Sequence, residues 1–133
     1  MTASRTALLL RLIDEGYEVK TWHGPNLKGS LRGISASQAS KRPAPGRHNI
    51  WEIAVHAAYW KYTVRRRILW QKRGSFPLKG SNWFHRPAPG ADWKKDLRML
   101  DDIHNSMRRA VASVKEADLG KRSRGSKVSN AAI

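Results

Sequence analysis

The chain has 133 residues, 26 Lys and Arg against 10 Asp and Glu, a formal net charge of +16 and no cysteine. That length suits one domain with a buried core, and the missing thiols exclude a disulfide framework, a CxxC redox pair, a cysteine nucleophile and a thiolate zinc site, as fits a cytoplasmic protein. The charge favours polyanions in general.

The opening "MTASRTALLLRLIDEG" carries an apolar run too short for a signal-peptide core or a membrane span. An amphipathic first helix is expected instead, with no membrane contact. Leu8, Leu9, Leu12 and Ile13 make i, i+4 pairs on one face, and Gly16 stands where a helix-ending glycine would. "WHGPNLKGSLRGIS" then offers a turn at Gly24-Pro25 and a weaker helical piece with Leu27, Leu31 and Ile34, its interior glycines 29 and 33 each costing roughly 1 kcal/mol against alanine. Ser35 and Gln38 have the spacing of a capping box for a short turn.

"RPAPG" occurs twice, at Arg42 to Gly46 and Arg86 to Gly90, each soon followed by a tryptophan near the start of a helical pattern. Proline and glycine at that density end one helix and precede the next, so this is a repeated connector rather than a repeated domain. Between the copies lies the clearest helix, "HNIWEIAVHAAYWKYTVRRRIL". Asn49 is its expected cap, with Glu52 reaching back from the third helical position. Ile50, Ile53, Ala54, Ala57, Trp60, Val64 and Ile68 share one broad face, Trp51, Val55, Ala58, Tyr62 and Leu69 flank it, and Asn49, Glu52, His56, Thr63 and Arg67 leave a narrow polar stripe.

"GSFPLKGSNWFHRPAPG", Gly74 to Gly90, is long for a bundle connection and is expected to be a crossover between the second and third main helices, which need not be antiparallel. Asp92 caps the third, whose apolar positions Trp93, Leu97, Leu100, His104, Met107, Val111 and Val114 step by four and three like a bundle seam. Beyond Asp118 the pattern dies into "LGKRSRGSKVSNAAI". Residues 4–118 are therefore expected to form an all-α helical-bundle domain, and residues 119–133 a basic, poorly ordered tail.

"TWHGPNLKGSLRGIS", "RPAPGRHNIWEIAVHAAYWKYTVRRR", "GSFPLKGSNWF" and the Trp93 to Val114 helix resemble the DinB-like proteins, a bacterial superfamily of four-helix bundles, most strongly in "HNIWEIAVHAAYWK". The resemblance covers roughly residues 5 to 126. It implies an up-down-down-up bundle, often dimeric, with a divalent metal, commonly nickel or zinc, and in some relatives metal-dependent chemistry on low-molecular-weight thiols. The implied metal triad is one histidine from the second main helix, matched by His56, plus an HxxxH pair on a fourth helix. That helix should begin about where this chain reads "SKVSNAAI", so the resemblance implies an incomplete bundle and an incomplete metal site, with little or no activity as this chain.

The five histidines, 23, 48, 56, 85 and 104, include no two spaced three, four or five apart, so no helical pair of ligands exists. A metal would need His56 and His104 to converge from facing helices, with Glu52 or Asp101 nearby; Trp60, one turn from His56, would support it. The plainer expectations are a core-edge His56 donating to a backbone or tyrosine oxygen, His104 as a polar break in a seam, Glu52 as a capping carboxylate, and His23 and His48 as local hydrogen-bonding residues. GxSxG, GxxxxGK[ST] and GxGxxG motifs are all missing.

A second class of function uses charge. The basic residues are spread along the chain as on an ordinary solvated surface, with concentrations only at Arg65, Arg66 and Arg67 and at Lys121, Arg122 and Arg124. These would contact nucleic acid phosphates without sequence specificity. An open groove left by three helices would favour a homodimer or a partner helix that completes the bundle.

Overall fold

Each α-helix of the described residues begins on a side chain that accepts an otherwise orphaned N–H. Ser4, Asn26, Ser35, Asn49 and Asp92 accept from the backbone of Ala7, Gly29, Gln38, Glu52 and Lys95, an arrangement worth typically about 1 kcal/mol per cap. At Ser35–Gln38 and Asn49–Glu52 the third helical side chain returns a bond to the cap's own N–H, closing both capping boxes. The computed structural model describes residues 4–22, 24–123 and 126–133. They form α1 (Arg5–Tyr17), α2 (Leu27–Leu31), α3 (Ala36–Ser40), α4 (Ile50–Ile68) and α5 (Trp93–Ala112), with 3-10 turns at Glu116–Asp118 and Asn130–Ala132. The fold is all-α; among the described residues only an isolated bridge between Arg122 and Ser129 has β character.

Side-chain bonds between the long helices give their directions. Trp51, Lys61 and Arg65 of α4 bond Asp96, His104 and Ser106 of α5, so both helices advance together and are parallel. Thr6, Asp14 and Tyr17 of the first helix meet Val114, Arg108 and Asp101, so α1 runs antiparallel to α5. The parallel pair requires the long connection between α4 and α5 to be a crossover, and the up-down-down order matches a DinB-like bundle.

The seam of α5 is as expected, with Trp93, Leu100, His104, Met107 and Val111 buried. The face of α4 is not. Its expected flank, Trp51, Val55, Ala58 and Tyr62, is the buried side, while Ile50, Ile53 and Trp60 are exposed. Asn49, Glu52 and Thr63, assigned to a polar stripe, are also buried. The reason is the crossover: its end returns over the start of α4 and covers polar groups that it also satisfies. Likewise α1 does not stop at Gly16 but continues to Tyr17, and Leu8 and Leu12 of the expected apolar face are exposed while Tyr17 is buried.

The two "RPAPG" copies are structural equivalents. Gly46 and Gly90 both turn at φ 77°, where glycine is free of the Cβ penalty, and each turn closes through a backbone bond, Arg47 to Ala44 and Ala91 to Ala88. Each leading arginine then pairs with an acid ten residues on, in the first turn or so of the next helix: Arg42 with Glu52 at 2.6 Å and Arg86 with Asp96 at 2.6 Å. The copies also lock onto each other. Arg86 N–H donates to Glu52, and Asn49 Nδ2 donates to the Arg86 carbonyl.

The described residues after Asp118 fold back rather than trail away. Leu119 and Ser123 are buried, Asn130 N–H donates to the Lys121 carbonyl and Ala131 N–H to that of Leu119. Compositional fading marks the end of helical periodicity here, not the end of packing.

Candidate functional site

His56 projects from α4 toward the crossover. Its Nδ1 donates to the Asn82 carbonyl at 2.7 Å, and Asn82 Oδ1 accepts from Trp60 Nε1 at 3.0 Å, so one residue ties two side chains a turn apart. Asn82 does this at φ 69°, a left-handed conformation that asparagine tolerates better than most residues. Trp83 lies between two imidazoles, stacked on His56 at 3.7 Å and on His48 at 3.6 Å. Of the expectations for His56, the hydrogen bond to a backbone oxygen is the one realised; its ring meets the crossover loop rather than the space between the helices. With the proton on Nδ1, the Nε2 lone pair is left available, the orientation that a carbonyl usually imposes on a metal-binding histidine.

Glu52 lies beside this stack but is consumed by structure. Its oxygens accept from Arg42, from Arg86 N–H and from Asn49 N–H, and the Arg42 guanidinium in particular pulls its carboxyl from 4.5 to about 2. A carboxylate held by so many donors is a capping and pairing group, not a general base.

His104 is in a different environment. It is fully buried on α5, stacks on Tyr17 at 3.9 Å, and accepts at Nδ1 from Lys61 Nζ at 3.1 Å. Burial first, and the Lys61 charge second, push its imidazole down to about 4, so it is neutral at pH 7 with its proton on Nε2, a buried donor without a partner. Lys61 also sits over the Tyr17 ring, 4.9 Å from its centroid, and burial holds its ammonium below the usual lysine range. Tyr17 donates to Asp101 at 2.5 Å, and Asp101 pairs with Lys28 at 3.0 Å.

The convergence of His56 and His104 that a metal would need therefore does not occur among the described contacts. They touch different residues: Asn82, Trp83 and Trp60 for one, Tyr17 and Lys61 for the other. Asp101 is bound to Tyr17 and Lys28. Among the described residues no group of three or more His, Asp or Glu side chains is placed to hold a metal ion. One imidazole nitrogen is oriented like a ligand, and the residues around it do not fit nickel or zinc.

The basic candidates also separate. Arg65 donates to Ser106 and packs over Tyr62, and Lys121 pairs with Asp118 at 2.9 Å. Arg66 and Arg67 are half-buried at the end of α4 and Arg122 is exposed. Arg124 and His23 lie outside the described residues.

Parallel α4 and α5, an antiparallel α1, a long crossover and an inward-seamed third main helix define a DinB-type bundle. The sequence profile of the DinB superfamily matches residues 21–131, and the chain belongs to that superfamily. No curated protein and no solved structure matches it. The matched span includes residues 119–131, which composition alone assigned to a tail. No helix of the described residues is long and apolar enough to cross a membrane.

Sequence reasoning missed the importance of Lys61 and Trp83. Lys61 reads as one more basic residue on a basic helix, and nothing local shows that it faces Tyr17 and His104. Trp83 sits in a connector, where a lone aromatic carries no periodic signal, and the two histidines that stack on it, His48 and His56, both lie far earlier in the chain.

Proposed function

We propose that this chain is a DinB-superfamily domain whose family-type metal site is incomplete, so that by itself it carries little or no metal-dependent catalysis and acts by binding. The observation that carries this reading is the isolation of His56. An open catalytic site usually takes three protein ligands, whereas here the other described histidines and nearby acids are committed elsewhere. Elemental analysis of protein purified after equilibration with nickel or zinc tests it. Substoichiometric metal, unchanged by His56→Ala, is expected. Stoichiometric metal lost on His56→Ala overturns the reading.

A second reading, nonspecific polyanion binding, rests on the formal +16 charge. Binding to random-sequence DNA should then fall steeply with salt, in proportion to the phosphates contacted. Weak binding that ignores salt removes this option.

A further inference from the structure

At the end of the bundle away from the Arg42 and Arg86 pairs, α1, α4, α5 and the folded-back C-terminal segment enclose an open cavity of about 330 Å³. Leu9 and Ile13 face it from α1, Trp60 and Val64 from α4, Met107 and Val111 from α5. Among the described residues that line it, Lys61 is the only one with a charged side chain. Asn130 is its other polar side chain, and that amide is already used by Ser123 and by the Asp118 carbonyl.

Lys61 is left with capacity to spare. An ammonium has three N–H donors. One goes to His104 Nδ1 and the charge lies over the Tyr17 ring, but no carboxylate of the described residues pairs with it. Four other basic side chains that reach across the bundle end on acids, Lys28 on Asp101, Arg42 on Glu52, Arg86 on Asp96 and Arg108 on Asp14, while Arg65 ends on the Ser106 hydroxyl. A half-buried cation without a paired carboxylate, on a largely apolar wall, is the complement of an anion with an apolar body. The volume lies at the lower end of the roughly 300–1,000 Å³ typical of small-molecule sites, which suits a short acid and not a long-chain lipid.

We propose that this cavity binds small apolar monocarboxylates, the carboxylate bonded to Lys61 Nζ and the hydrocarbon lying between Leu9, Ile13, Val64, Met107 and Val111. In this proposal His104 is a positioning residue: its neutral Nδ1 accepts from the Lys61 ammonium without neutralising it. The site uses neither His56 nor any metal, so it stands or falls separately from the proposed function.

Sodium octanoate is the probe, with octan-1-ol and octylamine as chain-matched controls, followed by titration calorimetry and by Trp60 fluorescence. Saturable one-to-one octanoate binding is expected, with octylamine far weaker. Lys61→Met should weaken octanoate by about tenfold or more, the loss of one charge-assisted bond, and leave octanol unchanged. Val64→Trp, which fills the cavity from α4, should weaken octanoate and octanol together, and it supplies the test if Lys61→Met does not fold. No saturable octanoate binding, octylamine binding as tightly as octanoate, or unchanged octanoate affinity in Lys61→Met overturns the proposal.

Discussion

Glu52 and His104 are both almost wholly buried titratable groups, yet the fold drives them to opposite charge states. Glu52, where the two connectors meet, is surrounded by donors and is held ionised; its carboxyl falls from 4.5 to about 2 under the Arg42 guanidinium above all. His104, between α1, α4 and α5, has an aromatic ring on one side and an ammonium on the other, and burial with that charge keeps it neutral down to about 4. Burial leads at His104 and is overruled by donors at Glu52. The difference shows that the neighbours decide whether a buried group is kept charged or kept neutral. One region is a closed ionic latch, the other an unbalanced cation beside a cavity.

The sharpest way to break this contrast is to open the latch. Asp96 accepts from Arg86 through Nε and Nη2 and from Trp51 Nε1, all buried. Asp96→Ala should cost about 3–5 kcal/mol in chemical denaturation, because it strands a buried guanidinium. A loss below about 1 kcal/mol would show that the latch does not hold the crossover down.

Acid should separate the two regions by pH. A carboxyl lowered to about 2 stabilises the fold fully above its unfolded value of 4.5 and loses that contribution as pH falls toward 2. A histidine lowered to about 4 resists protonation that the unfolded chain accepts at 6.5, so stability declines between pH 6.5 and 4. Each leg is on the order of 3 kcal/mol. Denaturation midpoints measured across pH should show both; His104→Gln should flatten only the upper one and Glu52→Gln only the lower.

Asn49→Ala tests the cap that joins the connectors. It removes the acceptor for Glu52 N–H and the donor to the Arg86 carbonyl, and about 1–2 kcal/mol of stability should go with them. The smallest effect is expected at His56. His56→Ala loses one stack on Trp83 and one bond to Asn82 in a half-buried setting, about 1 kcal/mol by denaturation. A much larger loss would mean that the imidazole carries the crossover's conformation.

The helices were largely legible in the chain because their starts are local events. Ser35 with Gln38, and Asn49 with Glu52, find each other across three residues whatever the rest of the protein does. The α5 seam was legible because a step of four and three keeps a helix on one side of its neighbour, and the neighbour is parallel α4. On α4 the same method placed the face only in part, with Ala54 buried but Ile50, Ile53 and Trp60 exposed, since that helix is covered on one side by α5 and on another by the returning crossover, which buries polar groups as readily as apolar ones.

Sequence alone therefore determined where helices begin, that they form a bundle of the DinB kind, and that no pair of histidines shares a helix turn; short-range bonds and periodicity suffice for these. Tertiary structure alone decided that Arg42 and Arg86 reach equivalent acids, that His56 and His104 part company, and that Lys61 lines a cavity to which no Asp or Glu side chain contributes. Each of those depends on residues distant in the chain becoming neighbours, and burial and charge pairing have no value until those neighbours are in place.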